Sequence, residues 1–325
     1  MDTGGLAFDV NCSILFTELP LLQRPAAAKA AGFDAVEFWW PFAEPVPGDR
    51  EVDAFITALG DAGVSLAALN FAAGDMAAGE RGWVSQPAGS AALRANIPVC
   101  AEIAKRTGCT RLNALYGNRV DDVPSQRQDE LAMENLALAA EAAADTGAVV
   151  LIEALNSYES PRYPLVSAAS AVSVVKRMGG LAGAADRGAH RAERAVEPGG
   201  PSGADAVAGA EGAAGVKGAE GAEGAAGAKG AAGAKGAAGN VAFLADLYHL
   251  ARMGEDLAGV LSGYQEWIGH VQIADVPGRG APGTGAIAYE SLLRQLAAQG
   301  YAGYVGLEYK PTDPDDSSTS FRWLD

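Results

Sequence analysis

Four residues, Glu153, Asp246, Gln272 and Glu308, each stand at or near the end of a short apolar run. Val149-Val150-Leu151-Ile152 leads to Glu153, Leu244-Ala245 to Asp246, His270-Val271 to Gln272, and Tyr304-Val305-Gly306-Leu307 to Glu308. If these runs are neighbouring strands of a parallel barrel, the four side chains share the rim where strand ends carry chemistry. Three carboxylates and an amide form an all-oxygen set, suited to a hard divalent cation such as Mg2+ or Mn2+ and not to a thiolate-preferring metal. Brought together without a cation, the three acids would repel and raise one another's pKa values. Any single strand-end Glu could equally serve a helix N-terminus or the surface. Four in succession are far harder to read that way.

The elements that would position them are legible as an alternation of short β-branched or aromatic runs with longer Ala/Leu segments of helical period. Eight runs are expected as strands: Ala7–Ser13, Ala35–Trp40, Ser65–Phe71, Arg111–Gly117, Ala148–Leu155, Val241–Tyr248, Ile268–Asp275 and Tyr304–Tyr309. Helices are expected over Leu19–Ala31, Val52–Ala62, Ala91–Arg106, Gln128–Asp145, Ser167–Met178, Glu255–Trp267 and Tyr289–Gln299, with a short last one over Thr319–Leu324. Gly32, Gly63, Gly108, Gly147 and Gly300 follow helices, where a left-handed C-terminal residue is wanted. The fold class is α/β, a (β/α)8 TIM barrel.

One stretch stands outside this pattern. Residues 179–239 are Gly, Ala and scattered charge, and from Gly209 to Gly239 every third residue is Gly. No Pro follows Pro201 within it, so a collagen-like triple helix lacks its stiffening residue, and the apolar bulk is too small to offset ordering entropy. The stretch reads as a disordered Gly/Ala-rich insertion between the fifth helix and the sixth strand. Removing its 61 residues from 325 leaves 264, close to the ~250 residues of a single barrel. Residues 1–178 and 240–325 are therefore one domain. Insertions at this end leave from the side opposite the catalytic rim, and lengthening a surface loop costs only about 0.6 kcal/mol per doubling.

The net charge is −16, nearly all of it outside the insertion. No basic stripe is present to hold nucleic acid, and an anionic substrate would need local positive charge from a metal or an Arg. Cys12, Cys100 and Cys109 are odd in number and lack C-x-x-C spacing, which fits a reducing, cytoplasmic setting. No basic leader or membrane-length apolar run is visible. A homo-oligomer is allowed by all of this.

Several segments resemble the hydroxypyruvate isomerase family, one of the xylose-isomerase-like sugar isomerase and epimerase barrels. They include Phe16-Thr17-Glu18-Leu19-Pro20, Gly32-Phe33-Asp34-Ala35-Val36-Glu37-Phe38, Leu151-Ile152-Glu153-Ala154-Leu155-Asn156 and Asp246-Leu247-Tyr248-His249. Gly269-His270-Val271-Gln272-Ile273-Ala274-Asp275, Pro282-Gly283-Thr284-Gly285 and Gly306-Leu307-Glu308-Tyr309 continue the likeness. It runs in order through nearly all of the 264 residues and is interrupted by the insertion. The resemblance implies one divalent metal held by Glu153, Asp246, Gln272 and Glu308, no organic cofactor, and acid/base roles for Glu153 and Glu308. Gln272 stands where ketohexose epimerases carry His, which favours the hydroxypyruvate branch. His249 and Arg279 fall at positions resembling substrate-oxygen contacts.

The implied reaction interconverts hydroxypyruvate and 2-hydroxy-3-oxopropanoate (tartronate semialdehyde). A cation chelated by adjacent oxygens acidifies the C–H and stabilises an enediolate, while Glu153 and Glu308 move protons on either side. A hydride shift is the competing route. Arg279 would offer the small hydroxy-oxo acid a bidentate fork. Glu37, Asn70 and Asn113 end strands two to four and are further substrate-binding candidates, each as readily explained by structural hydrogen bonds. His270 is expected behind the ligands rather than among them.

Two alternatives stay within the superfamily, a 2-dehydrotetronate isomerase and a ketose epimerase. A three-zinc endonuclease is disfavoured because the chain has only His190, His249 and His270. From another class comes a collagen-like assembly protein whose barrel is inactive, which predicts trimers through residues 209–239.

Overall fold

All eight apolar runs form strands in the computed structural model, which describes residues 1–179 and 239–324. They are β1 (Ala7–Asn11), β2 (Ala35–Phe38), β3 (Ser65–Asn70), β4 (Arg111–Asn113), β5 (Val149–Glu153), β6 (Val241–Asp246), β7 (Ile268–Ile273) and β8 (Tyr304–Leu307). Each pairs in parallel with the next, and β8 pairs with β1 to close the barrel. Every strand stops between one and four residues short of the end expected from hydropathy. The chain leaves the ladder there, so that the strand ends and the residues just beyond them can bring polar side chains over the barrel mouth.

Side-chain alternation divides the strands between two environments. In β5, Val150 and Ile152 join the large core shared with the helices, whereas Leu151 packs with Ala242 and Leu244 in a small separate cluster. Glu153 has the parity of Leu151 and follows it toward the mouth. At the other end of the barrel Arg111 is buried, its Nε donating to the Gly269 carbonyl at 2.8 Å.

The outer layer consists of α1 (Arg24–Ala30), α2 (Asp49–Ala62), α3 (Ser90–Thr107), α4 (Ser125–Ala144), α5 (168–179), α6 (Leu247–Arg252), α7 (Leu257–Gly263) and α8 (Tyr289–Ala298). In α2 the buried Val52, Phe55 and Leu59 lie at helical spacing. The helix starts three residues earlier than its apolar stripe, because Glu51 reaches back to accept from the Gly48 N–H at 3.0 Å. It ends at Gly63, whose φ of 64° is the left-handed value expected at that position.

Three expected helices are corrected. The span Leu19–Ala31 divides into a 3-10 turn at Leu21–Gln23 and α1, with Pro20 and Pro25 at the two starts. The span Glu255–Trp267 divides into α7 and a 3-10 turn at Gln265–Trp267. The last element, Ser317–Leu324, is a 3-10 helix rather than an α-helix. The short α6 was not expected at all; the apolar pair Leu247-Tyr248 reads as more strand, but Asp246 caps a helix there.

Except for its end residues, the 179–239 stretch lies outside the described residues. Gly179 belongs to α5, and the described chain resumes at Gly239. Asn240 then secures the entry to β6: its Nδ2 donates to the Ala140 carbonyl at 2.5 Å, and its own carbonyl accepts from the Val150 N–H at 2.8 Å. This junction sits at the start of β6, at the opposite end of that strand from Asp246. Cys12, Cys100 and Cys109 are all buried and unpaired. No helix among the described residues is long and apolar enough to cross a membrane.

Candidate active site

The barrel register brings the ligand candidates level. Asp246 pairs directly with Gln272, and Gln272 with Gly306, two residues before Glu308. Gly306 is needed for that approach, since a Cβ there would lie 2.8 Å from Glu37 Oε1 and 2.9 Å from Gln272 Cγ. Glu153, Asp246, Gln272 and Glu308 are all buried.

Each carboxylate is held by a different device. Asn113 Nδ2 donates to Glu153 Oε2 at 2.8 Å. Asp246 Oδ1 accepts from the N–H groups of Tyr248 and His249 at 2.8 and 3.2 Å, capping α6 and leaving Oδ2 for the site. Glu308 Oε1 accepts from Trp39 Nε1 at 2.6 Å and from Asn11 Nδ2 at 3.0 Å, while Oε2 accepts from Arg279 Nη2. Gln272 differs. Its Nε2 donates to Glu37 Oε1 at 2.7 Å, and its carbonyl Oε1 is buried without a hydrogen-bond partner.

Burial raises the Glu153 carboxyl well above the usual range, and the charges of Glu308 and Asp246 raise it further. Burial and Glu308 do the same to Asp246. Glu308 is raised less strongly; burial acts upward while Arg279 pulls it down. A divalent cation would relieve this repulsion and give the orphaned Gln272 oxygen a partner, so the residues present fit such an ion.

His249 lies beside the acids, its Nε2 3.6 Å from Asp246 Oδ2 and 4.0 Å from Glu153 Oε1. These three residues can present donor atoms within 4.8 Å of one another. Nδ1 accepts the Asn156 backbone N–H at 3.2 Å, which assigns the proton to Nε2 in the neutral ring. Burial, with Arg279 and then Arg81 nearby, holds His249 well below its usual pKa. The ring is thus a neutral hydrogen-bond donor facing the site.

A cavity of about 300 Å3 opens above these groups, lined in part by Glu153, Glu308, His249, Arg279, Asn70, Trp39 and Arg81. Among the other substrate-binding candidates, Asn70 reaches this wall, whereas Glu37 and Asn113 do not line it. Glu37 is 1% exposed and holds Gln272, Asn11 and His270 from below, with His270 Nε2 2.8 Å from its Oε2. Asn113 holds Glu153. His270 is buried behind Gln272, as its parity indicated. Arg279 lines the cavity but is already committed to Glu308, its Nη1 lies 3.8 Å from Glu159, and its guanidinium stacks on Tyr248.

Sequence reasoning missed Asn11, Arg81, Glu159 and Ser160. The sharpest available signal was Gly79-Glu80-Arg81-Gly82, a charged pair between glycines in the loop after β3. Asn11 ends β1 as the named candidates end their strands.

The profile of the xylose isomerase-like TIM barrel family matches residues 25–182 and 234–325. The chain belongs to this family. The match breaks off where the Gly/Ala-rich stretch begins and resumes near its end. A relative from Streptomyces coelicolor, named "Putative hydroxypyruvate isomerase", is 49% identical over 319 residues, covering 98% of this chain and 95% of its own. A 2-oxo-tetronate isomerase of Cupriavidus necator is 30% identical over 318 residues, covering 98% of this chain and 96% of its own. Among solved structures, an AP endonuclease, family 2, from Brucella melitensis superposes with a TM-score of 0.72 at 27% identity, covering 98% of both chains. The barrel thus carries different activities by the names of these relatives, and the side chains at the mouth must distinguish them.

Proposed function

We propose that the chain is a metal-assisted isomerase of a small 2-oxo acid, interconverting hydroxypyruvate and 2-hydroxy-3-oxopropanoate. One observation carries the reading: the buried acids Glu153, Asp246 and Glu308 sit with a Gln272 carbonyl that has no partner, beneath a cavity that also contains cationic side chains. The name of the Streptomyces relative supports the choice of substrate. Glu153, Asp246, Gln272 and Glu308 would hold Mg2+ or Mn2+. The bound ion would polarise the substrate carbonyl and favour negative charge on the two neighbouring oxygens.

The reaction removes a proton from C3 and delivers one to C2. Glu153 and Glu308 are the two buried carboxylates that line the cavity, and they are the groups placed to carry that proton. Asn113 fixes the plane of Glu153, and Trp39 and Asn11 fix that of Glu308. His249 Nε2–H donates to a substrate oxygen. Leu115, Leu155, Trp39 and Met76 wall the cavity and limit water at the reacting carbons.

The 2-oxo-tetronate isomerase of Cupriavidus favours a second reading, the same chemistry on an acid one carbon longer. An endonuclease is disfavoured by the net charge of −16, which would repel a phosphate backbone. The direct test is a coupled assay on hydroxypyruvate and on 2-oxo-tetronate after EDTA treatment, with Mg2+ or Mn2+ added back. Metal-dependent turnover of hydroxypyruvate is expected. Turnover that ignores EDTA removes the metal, and a clear preference for the four-carbon acid moves the assignment to the second reading.

A further inference from the structure

Two arginines line the cavity, and they are not equivalent. Arg279 is bound by Glu308 through Nη2, donates from Nε to the Glu308 carbonyl at 3.3 Å, and lies 3.8 Å from Glu159. Its charge is already compensated by Glu308, which the reaction needs, and by Glu159. A substrate carboxylate that drew the guanidinium off Glu308 would leave a buried acid without its counter-ion, and Nη1, which is not engaged by Glu308, faces the Glu159 carboxylate at 3.8 Å.

Arg81 is differently placed. Nε donates to Ser160 Oγ at 3.1 Å, and Nη1 donates to the carbonyls of Met76 and Glu80 at 2.9 and 2.7 Å. All three acceptors are neutral; they fix the guanidinium plane without cancelling its charge. No carboxylate among the described residues forms an ion pair with it, and Nη2 meets no acceptor among them. The adjacent Glu80 is turned away, its carboxylate accepting from the Asp75 N–H and Trp83 Nε1. Ser160 also lines the cavity, and because Oγ accepts from Arg81 its own O–H remains free to donate.

We propose that Arg81, with Ser160 beside it, receives the substrate carboxylate, and that Arg279 instead holds Glu308. This rests on the isomerase reading above and goes beyond it by naming the group that selects a 2-oxo acid over a neutral ketose. An oriented guanidinium and a hydroxyl form a preorganised anion receptor. The cation is supplied where an otherwise acidic protein would repel the substrate. Dihydroxyacetone, which carries CH2OH in place of the carboxylate, would gain little from it.

The test compares Arg81→Met, Arg81→Lys and Arg279→Met with the wild-type enzyme loaded with Mn2+, using hydroxypyruvate and dihydroxyacetone as substrates. Calorimetric binding of tartronate, an unreactive hydroxy diacid, provides a readout independent of turnover. Arg81→Met is expected to raise KM for hydroxypyruvate about a hundredfold and to weaken tartronate to a similar degree, as loss of a partly buried charged contact does. Its activity on dihydroxyacetone and its Mn2+ affinity should stay at the wild-type level, and Arg81→Lys should recover part of the loss. Arg279→Met should lower kcat more than it raises KM. If Arg279→Met takes the KM effect and Arg81→Met keeps wild-type KM and tartronate binding, the inference is overturned while the isomerase reading stands. If the wild-type enzyme neither turns over hydroxypyruvate nor binds tartronate, both fall together.

Discussion

Gln272 donates through Nε2 to Glu37 Oε1 at 2.7 Å, and this bond decides which end of the amide faces the three acids. The carbonyl, not the NH2, is left toward the site, buried and without a partner. Glu37 is thereby a positioning residue, acting on the site through Gln272 and, through Asn11, on Glu308. Replacing it with an apolar side chain should free the amide to turn. Glu37→Leu is expected to weaken Mn2+ binding about ten- to hundredfold by calorimetry, the range typical of partners behind a ligand. Glu37→Gln retains an oxygen that can accept the same bond and should keep most of the affinity. Equal losses in the two variants would argue against this role.

Glu153→Gln and Glu308→Gln preserve shape and remove the proton carrier. Each is expected to lower kcat on hydroxypyruvate by about 10^2 to 10^4, the usual contribution of a positioned acid or base. Circular dichroism should be unchanged, because Asn113, Trp39 and Asn11 can still donate to the amide oxygen. Wild-type turnover by either variant would strike that residue from the reaction.

Asp9 sits below Glu37 with 0% exposure and no hydrogen-bond partner on either oxygen. Burial, and then the charge of Glu37, raise its pKa well above the ordinary 3.8. The folded protein therefore keeps this proton over a pH window in which the unfolded chain has released it. The resulting stability is present below the unfolded value and is lost as pH rises through the folded one. Asp9→Asn should match the wild-type protein in urea unfolding at about pH 4 and exceed it progressively toward pH 8. A constant difference across that range would show that Asp9 does not titrate in this way.

The family profile leaves residues 183–233 unmatched. A chain with residue 182 joined to residue 234 should keep the wild-type Tm within a few degrees, its activity and its oligomeric state in solution. A change from trimer to monomer on deletion would instead support the collagen-like assembly reading.

The sequence revealed the barrel because strand and helix periods alternate, and every strand begins where its apolar run begins except β5, which starts one residue later. Strand ends were less legible. Hydropathy continues through Phe71, Tyr116 and Leu155, whereas pairing stops once the chain turns to present Asn70, Asn113 and Glu153. The α6 helix was hidden by its own cap, since Asp246 reads as a ligand and gives no sign that it also stops β6 and starts a helix. Parity placed Glu153, Gln272 and His270 inside the barrel. It could not show that Arg279 would be engaged by Glu308, because that contact joins the loop after β7 to the end of β8. Arg81 had no period to betray it, since its position depends on loop carbonyls and a distant serine.

Because Asn240 clamps the chain where it re-enters the wall, the amide hook and the mouth occupy opposite poles of the molecule. A resin linker, a reporter or a second enzyme spliced upstream of that hook would leave the doorway facing outward. Such a fusion could be immobilised with the path into the cavity clear.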